Sequence, residues 1–155
     1  MSEYHIPVLL DESVTALVGD ALSGVYADAT FGGGGHSREI LSRLTQAGRL
    51  LAFDRDSDAL ANKPDDNRLV LIHNNFRFIH NYSLLETEDG LDGVLADLGV
   101  SSHQFDTPER GFSFRYSAPL DMRMNTLGEV TAADVVNNYT QEELERIFRI
   151  YGEVD

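Results

Sequence analysis

The chain has 155 residues, enough for one domain with a hydrophobic core, and no cysteine, which excludes disulfides and thiolate ligands and permits a reducing, cytoplasmic setting. Its formal net charge is −14, with 26 acidic against 12 basic residues, which argues against a non-specific polyanion binder with a basic face. No stretch is apolar for long enough to span a bilayer, and Met1 to His5 lacks the charged-then-apolar pattern of a secretion signal.

Taken in order, residues 6–18 place apolar groups at Val8, Leu9, Val14, Leu17 and Val18, with Pro7 at an early helical position, and predict a short helix. Val25 to Phe31 predicts the first strand. Ser37 to Ala47 predicts a crossover helix with Ile40, Leu41 and Leu44 on one face and Gly48 as its stop. Arg49 to Asp54 is a continuous apolar run of the kind buried on both faces of a parallel sheet, and predicts the second strand. A short helix is expected from Ser57 to just before Pro64, a third strand at Leu69 to His73, a helix at Phe76 to Leu85, and a fourth strand at Gly93 to Asp97. Strands alternating with helical segments predict an open parallel α/β sheet with right-handed crossovers.

After Val100 the pattern changes. Ser101 to Gly128 shows no periodicity and reads as a long loop, the kind that is functional or disordered. Thr131 with Asp134, and Thr140 with Glu143, then open two helices. No strand follows to cover the fourth one, so the chain reads as the front part of a longer protein.

The chemistry concentrates at Val25-Tyr-Ala-Asp-Ala-Thr-Phe-Gly-Gly-Gly-Gly-His-Ser37. A strand that runs through a glycine turn into a helix is how nucleotide-like ligands are held, because bare backbone can approach them and the helix start offers free N–H groups. Asp54 ends the second strand twenty residues beyond Gly34, where a carboxylate accepts hydrogen bonds from ribose hydroxyls. Nicotinamide enzymes share that layout, but their G-x-G-x-x-G fingerprint has no acid before it. Here Asp28 precedes the turn with the spacing D-x-G-x-G-x-G, Thr30 standing in the first glycine slot. This favours S-adenosylmethionine, whose α-ammonium suits an acid near the turn. A tight turn with a solvated Asp28 is the plainer alternative.

Phe76, after Asn74-Asn75, is placed either beside the adenine or in the core of the next helix. His36 either donates to the cofactor carboxylate or merely flanks the turn. Asp97 leaves the fourth strand toward the same crevice, to contact cofactor or to hold an amine N–H of the substrate. Asp54-Arg-Asp56 has no third ligand at useful spacing, so no metal is expected. Between His103 and Asn125, Arg110, Arg115 and Arg123 alternate with Phe112, Phe114 and Tyr116, in a stretch that is formally neutral against an acidic background. Arginines with interleaved aromatics grip single-stranded RNA, and they also build internally bridged structural loops.

His5-Ile-Pro-Val-Leu, Asp28-Ala-Thr-Phe-Gly-Gly-Gly-Gly-His-Ser, Phe53-Asp-Arg-Asp, Asp97-Leu-Gly-Val-Ser-Ser and Glu109-Arg-Gly-Phe-Ser-Phe with Pro119-Leu-Asp-Met-Arg-Met together resemble the RsmH-type (MraW) family of methyltransferases. The resemblance implies transfer of a methyl group from S-adenosylmethionine to N4 of a cytidine in 16S ribosomal RNA of the small subunit. It implies a class I, Rossmann-like α/β sheet, incomplete here and cofactor-binding over residues 1–100, with an inserted helical domain beginning at 101–155. By motif, the cofactor contacts would be Gly34, Gly35, His36, Asp54, Phe76, Asp97 and Gln104, with the catalytic residue unassigned. Family members are about twice this length. The readings kept beside it are a cofactor-binding fragment without turnover and a nicotinamide-dependent oxidoreductase; a homodimer is left open.

Overall fold

A computed structural model describes residues 7–154. The expectations that involve Met1 to His5, Ile6 and Asp155 lie outside the described residues. The chain separates into two compact units, residues 1–99 and 100–155.

The first unit is built on four parallel strands, β1 (Val25–Asp28), β2 (Arg49–Asp54), β3 (Leu69–His73) and β4 (Gly93–Leu95), in the order β3-β2-β1-β4. The strand order reverses between β1 and β4, so the crevice for a ligand opens at the carboxyl ends of those two strands. This is an open parallel α/β sheet of the Rossmann-like kind. β2 shows why its sequence is apolar throughout. Leu50 and Ala52 face a core shared with Val14 and Val18 of α1 (Leu10–Val18) and Ile40 and Leu41 of α2 (Gly35–Arg43). Leu51 and Phe53 face the opposite side, with Ile72 and with Ile79 and Tyr82 of α3 (Ile79–Glu86). Phe53 meets the Tyr82 ring edge-on, with centroids 5.6 Å apart.

The helix ends differ from the sequence-based expectations for local reasons. α1 begins at Leu10 because Leu9 takes a left-handed conformation (φ 50°), which leaves Pro7 before the helix instead of inside it. α2 begins at Gly35, two residues earlier than expected. It stops at Arg43, where Leu44 turns extended to bury its side chain and Thr45 N donates to Leu22 O at 2.7 Å. Gly48 therefore lies in a turn beyond the helix. Ser57–Asn62 and Phe76–Phe78 wind as 3₁₀ turns.

The second unit contains α4 (Ser102–Asp106), α5 (Ala132–Asn138) and α6 (Gln141–Tyr151). Each starts with a reciprocal capping box, from Ser101 with Gln104, Thr131 with Asp134, and Thr140 with Glu143. α4 corrects the reading of 101–128 as helix-free. Among the described residues no helix is long and apolar enough to cross a membrane.

Candidate functional site

β1 ends at Asp28, whose side chain is fully buried. One oxygen accepts from Thr30 N at 3.0 Å, and the other accepts from Ser37 Oγ at 2.7 Å. Burial holds this carboxyl above the usual carboxylate range, against the lowering effect of those two donors. Asp28 is thus an internal brace between the strand end and the first turn of α2. This burial overturns the alternative of a solvated Asp28, and it turns the acid expected to suit a ligand cation toward protein donors instead.

The turn itself is held from three sides. Gly32 N donates to Asp54 Oδ2 at 2.7 Å, and Asn62 Nδ2 donates to Gly32 O at 3.0 Å. Phe31 N donates to Phe53 O at 2.9 Å, extending the β1–β2 ladder past the strand end. Gly34 takes φ 75°, the left-handed region, and a Cβ there would sit 2.9 Å from both the Phe31 ring and the Arg38 guanidinium. At Gly35 a Cβ would collide with the Pro7 ring. The first intrahelical bond of α2 runs from Arg38 N to Gly34 O, so the N–H groups of Gly35, His36 and Ser37 have no partner within the helix. They add to the positive end of the helix dipole.

Asp54 accepts from Gly32 N through one oxygen and from Asp56 N at 2.8 Å through the other. Each oxygen retains a second lone pair, and the side chain is half-buried at the end of β2. Asp97 stands just past β4. Its N–H donates to Thr30 Oγ1 at 2.8 Å, and its side chain is exposed. Thr30 therefore couples the ends of β1 and β4, a role its place in the first glycine slot signalled only weakly. Phe76 opens the 3₁₀ turn after β3 and is 39% exposed. The pairing of Asp54 with His73 sets the β3 end beside the β2 end. His36 is buried, and its Nε2 lies 3.2 Å from Val8 O, which fits a ring N–H donating to that carbonyl. It closes the segment before α1 onto the turn.

Gly34, Gly35, His36, Asp54 and Asp97 are thus tied to one turn, with Phe76 at the neighbouring strand end. Gln104 belongs to the second unit, where its Oε1 accepts from Ser101 N at 3.1 Å in the α4 capping box. Of the arginines set among aromatics, Arg110 is buried and donates to Arg123 O at 2.9 Å, and Arg123 grips Asp121 at 2.6 Å. Those two are internal braces of their loop. Among the described residues no group of three or more His, Asp or Glu side chains gathers as a metal site. The sequence reading missed Ser37, Asn62 and the Ser101–Gln104 box. The S-x-x-Q spacing was the available signal for the last.

Residues 2–155 match the MraW methylase family. Proteins named ribosomal RNA small subunit methyltransferase H are similar to this chain in several bacteria. That of Bacteroides fragilis strain ATCC 25285 is 56% identical over 151 residues, covering 97% of this chain and 49% of its own. That of Parabacteroides distasonis is 55% identical over 152 residues (97% and 50%), and that of Flavobacterium johnsoniae 55% over 152 (98% and 50%). The chain spans about half the length of the curated relatives it matches. A match along nearly the whole chain, on a sheet whose order reverses beside a braced glycine turn, leaves one assignment: the chain belongs to the MraW methylase family.

Proposed function

We propose that this chain carries the S-adenosylmethionine site of an enzyme that methylates N4 of a cytidine in 16S ribosomal RNA of the small subunit. The observation that carries the reading is the Asp54–Gly32 bond. It joins the carboxylate that would hold the sugar and the glycine turn into one cradle. The residues fit the cofactor. Asp54 has lone pairs left for ribose hydroxyls, the N–H groups at the start of α2 suit the amino-acid carboxylate, and the half-exposed Phe76 offers a ring face for adenine. Gly34, Gly35 and His36 provide the backbone of that cradle, Asp97 lines the crevice, and Gln104 is assigned to the cofactor by family motif alone.

When bound, the cofactor supplies a sulfonium methyl group open to in-line displacement. The residues around it orient the two reactants, which is where most of the acceleration in such a transfer arises. The cytosine amine is a poor nucleophile because its lone pair is delocalised into the ring. An acceptor for its N–H, the exposed Asp97 carboxylate or a carbonyl of the following loop, favours pyramidalisation. The base must be unpaired or flipped out to reach the crevice.

Methyl transfer to a reconstituted small subunit, supported by the protein and lost in Asp97→Ala, tests the reading. Binding of NAD in place of S-adenosylmethionine would overturn it in favour of an oxidoreductase. The reading kept beside it is a cofactor-binding protein without turnover. Calorimetry that records cofactor binding alongside an absence of methyl transfer supports that one.

A further inference from the structure

Residues 111–121 of the second unit form a loop with a pinched neck. Gly111 sits at φ 72°, and a Cβ there would come within 2.6 Å of Pro119 O and 2.7 Å of Asp121 N. Only bare backbone lets the two limbs come this close. Met122 N donates to Arg110 O at 3.0 Å, and Leu120 O and Asp121 O accept from the first two amides of α5. Arg123 holds Asp121 with two nitrogens, at 3.0 and 2.6 Å. This is a compact loop with joined ends, of the Ω type.

What the neck presents is unusual. Phe114 at the tip is 97% exposed, and Tyr116 is 44% exposed. Arg115 between them is exposed, lies over the Phe105 ring at 5.3 Å, and has no carboxylate partner among the described residues. From Gly111 to Leu120 there is no Asp or Glu, in a chain that carries 26. Phe114 contributes almost nothing to the core, so its ring is available for a partner. Two aromatic rings flanking a guanidinium match the chemistry of an unpaired nucleic-acid strand, with rings for base faces and Arg for phosphate. A duplex keeps its base faces stacked, so they are closed to the rings of Phe114 and Tyr116.

We propose that the Phe114–Arg115–Tyr116 tip is a stacking clamp for an unpaired RNA segment, made of residues other than those that hold the cofactor. The proposal rests on the reading of the substrate as RNA.

The test is fluorescence anisotropy of a short unstructured oligoribonucleotide with the 155-residue chain, alongside calorimetry with S-adenosylhomocysteine. Phe114→Ala weakens RNA binding roughly 5- to 150-fold, the loss expected for one base–aromatic stack, and Phe114→Trp restores it. Arg115→Gln lowers the slope of log affinity against log salt by about 0.7, the share of one phosphate on a single strand, whereas Phe114→Ala leaves the slope unchanged. Cofactor affinity stays at the wild-type value in all three variants. Wild-type RNA affinity in Phe114→Ala overturns the clamp, as does a failure of the parent chain to bind RNA while it still binds cofactor. Self-association of the parent that Phe114→Ala abolishes, with RNA affinity unchanged, also overturns it and makes the tip a protein-docking patch. RNA binding that follows the predicted pattern in a chain that binds no cofactor supports the clamp and sinks the methyl-transfer reading.

Discussion

Asp54→Asn is the sharpest probe of the cradle. Two backbone N–H groups, of Gly32 and Asp56, point at the two oxygens of this carboxylate, at 2.7 and 2.8 Å. An amide of the same shape has one oxygen. Whichever way Asn rotates, its NH2 faces one of the two donors, so one bond is lost and replaced by a donor–donor contact. A hydrogen bond to a charged acceptor contributes about 1.5–3 kcal/mol, so the unliganded variant should lose about that much stability. With a urea slope of about 1–3 kcal/mol/M for a small protein, its unfolding midpoint should fall by roughly 1 M. The same change removes one acceptor for the ribose, so S-adenosylhomocysteine should bind roughly 10- to 150-fold more weakly by calorimetry. A variant with the parent's midpoint and affinity would show that the carboxylate neither braces the turn nor meets the ligand.

Three further outcomes follow from the same geometry. Asp28 has a folded-state pKa raised by burial, so its contribution to stability is complete below its ordinary value of 3.8 and is lost as pH rises through the folded value. Asp28→Asn keeps the shape without the ionisation. Its stability relative to the parent should therefore climb from about pH 4 upward in paired urea titrations, and a decline over that window would reverse the assignment. Gly34→Ala places a side chain in the left-handed region against Phe31 and Arg38, and should cost about 1–3 kcal/mol in chemical denaturation; a loss below half of that would mean the turn can relax. Ser101→Ala removes the cap of α4 and should cost about 0.5–2 kcal/mol locally, read as faster hydrogen exchange at the Gln104 amide, and an unchanged rate would deny the box any role.

Residue patterns disclosed different parts of this molecule for different physical reasons. β2 and β3 appear at the expected residues because a strand buried on both faces is an unbroken apolar run with polar ends. β1 was expected to reach Phe31 and stops at Asp28, although Ala29 N and Phe31 N still donate to Leu95 O and Phe53 O beyond it. The end of α2 was hidden because the burial of Leu44 and the Thr45–Leu22 bond are tertiary. α4 has five residues, too few to show a helical period, yet its cap pair stood in the sequence. Asp54 was placed from spacing alone, because the distance from turn to next strand end is set by one helix and one strand. Asp28 read as a ligand contact, since a carboxylate at a strand end looks the same whether it faces solvent or, as here, a serine nine residues on.

The three capping boxes of residues 100–155 bear on how the chain acquires its structure. Each is an instruction written within four residues, so the starting points of these helices are set without reference to any distant part of the chain. The sheet has no such shortcut: the pairing that sets β4 beside β1 bonds Val25 to Asp92, 67 positions apart, and the entropy of that loop must be lost before the contact gives anything back. Turn-by-turn winding takes on the order of a microsecond, and long-range parallel pairing is slower by orders of magnitude. The start signals of these helices are therefore local, whereas the glycine cradle exists only once strands distant in the sequence have paired.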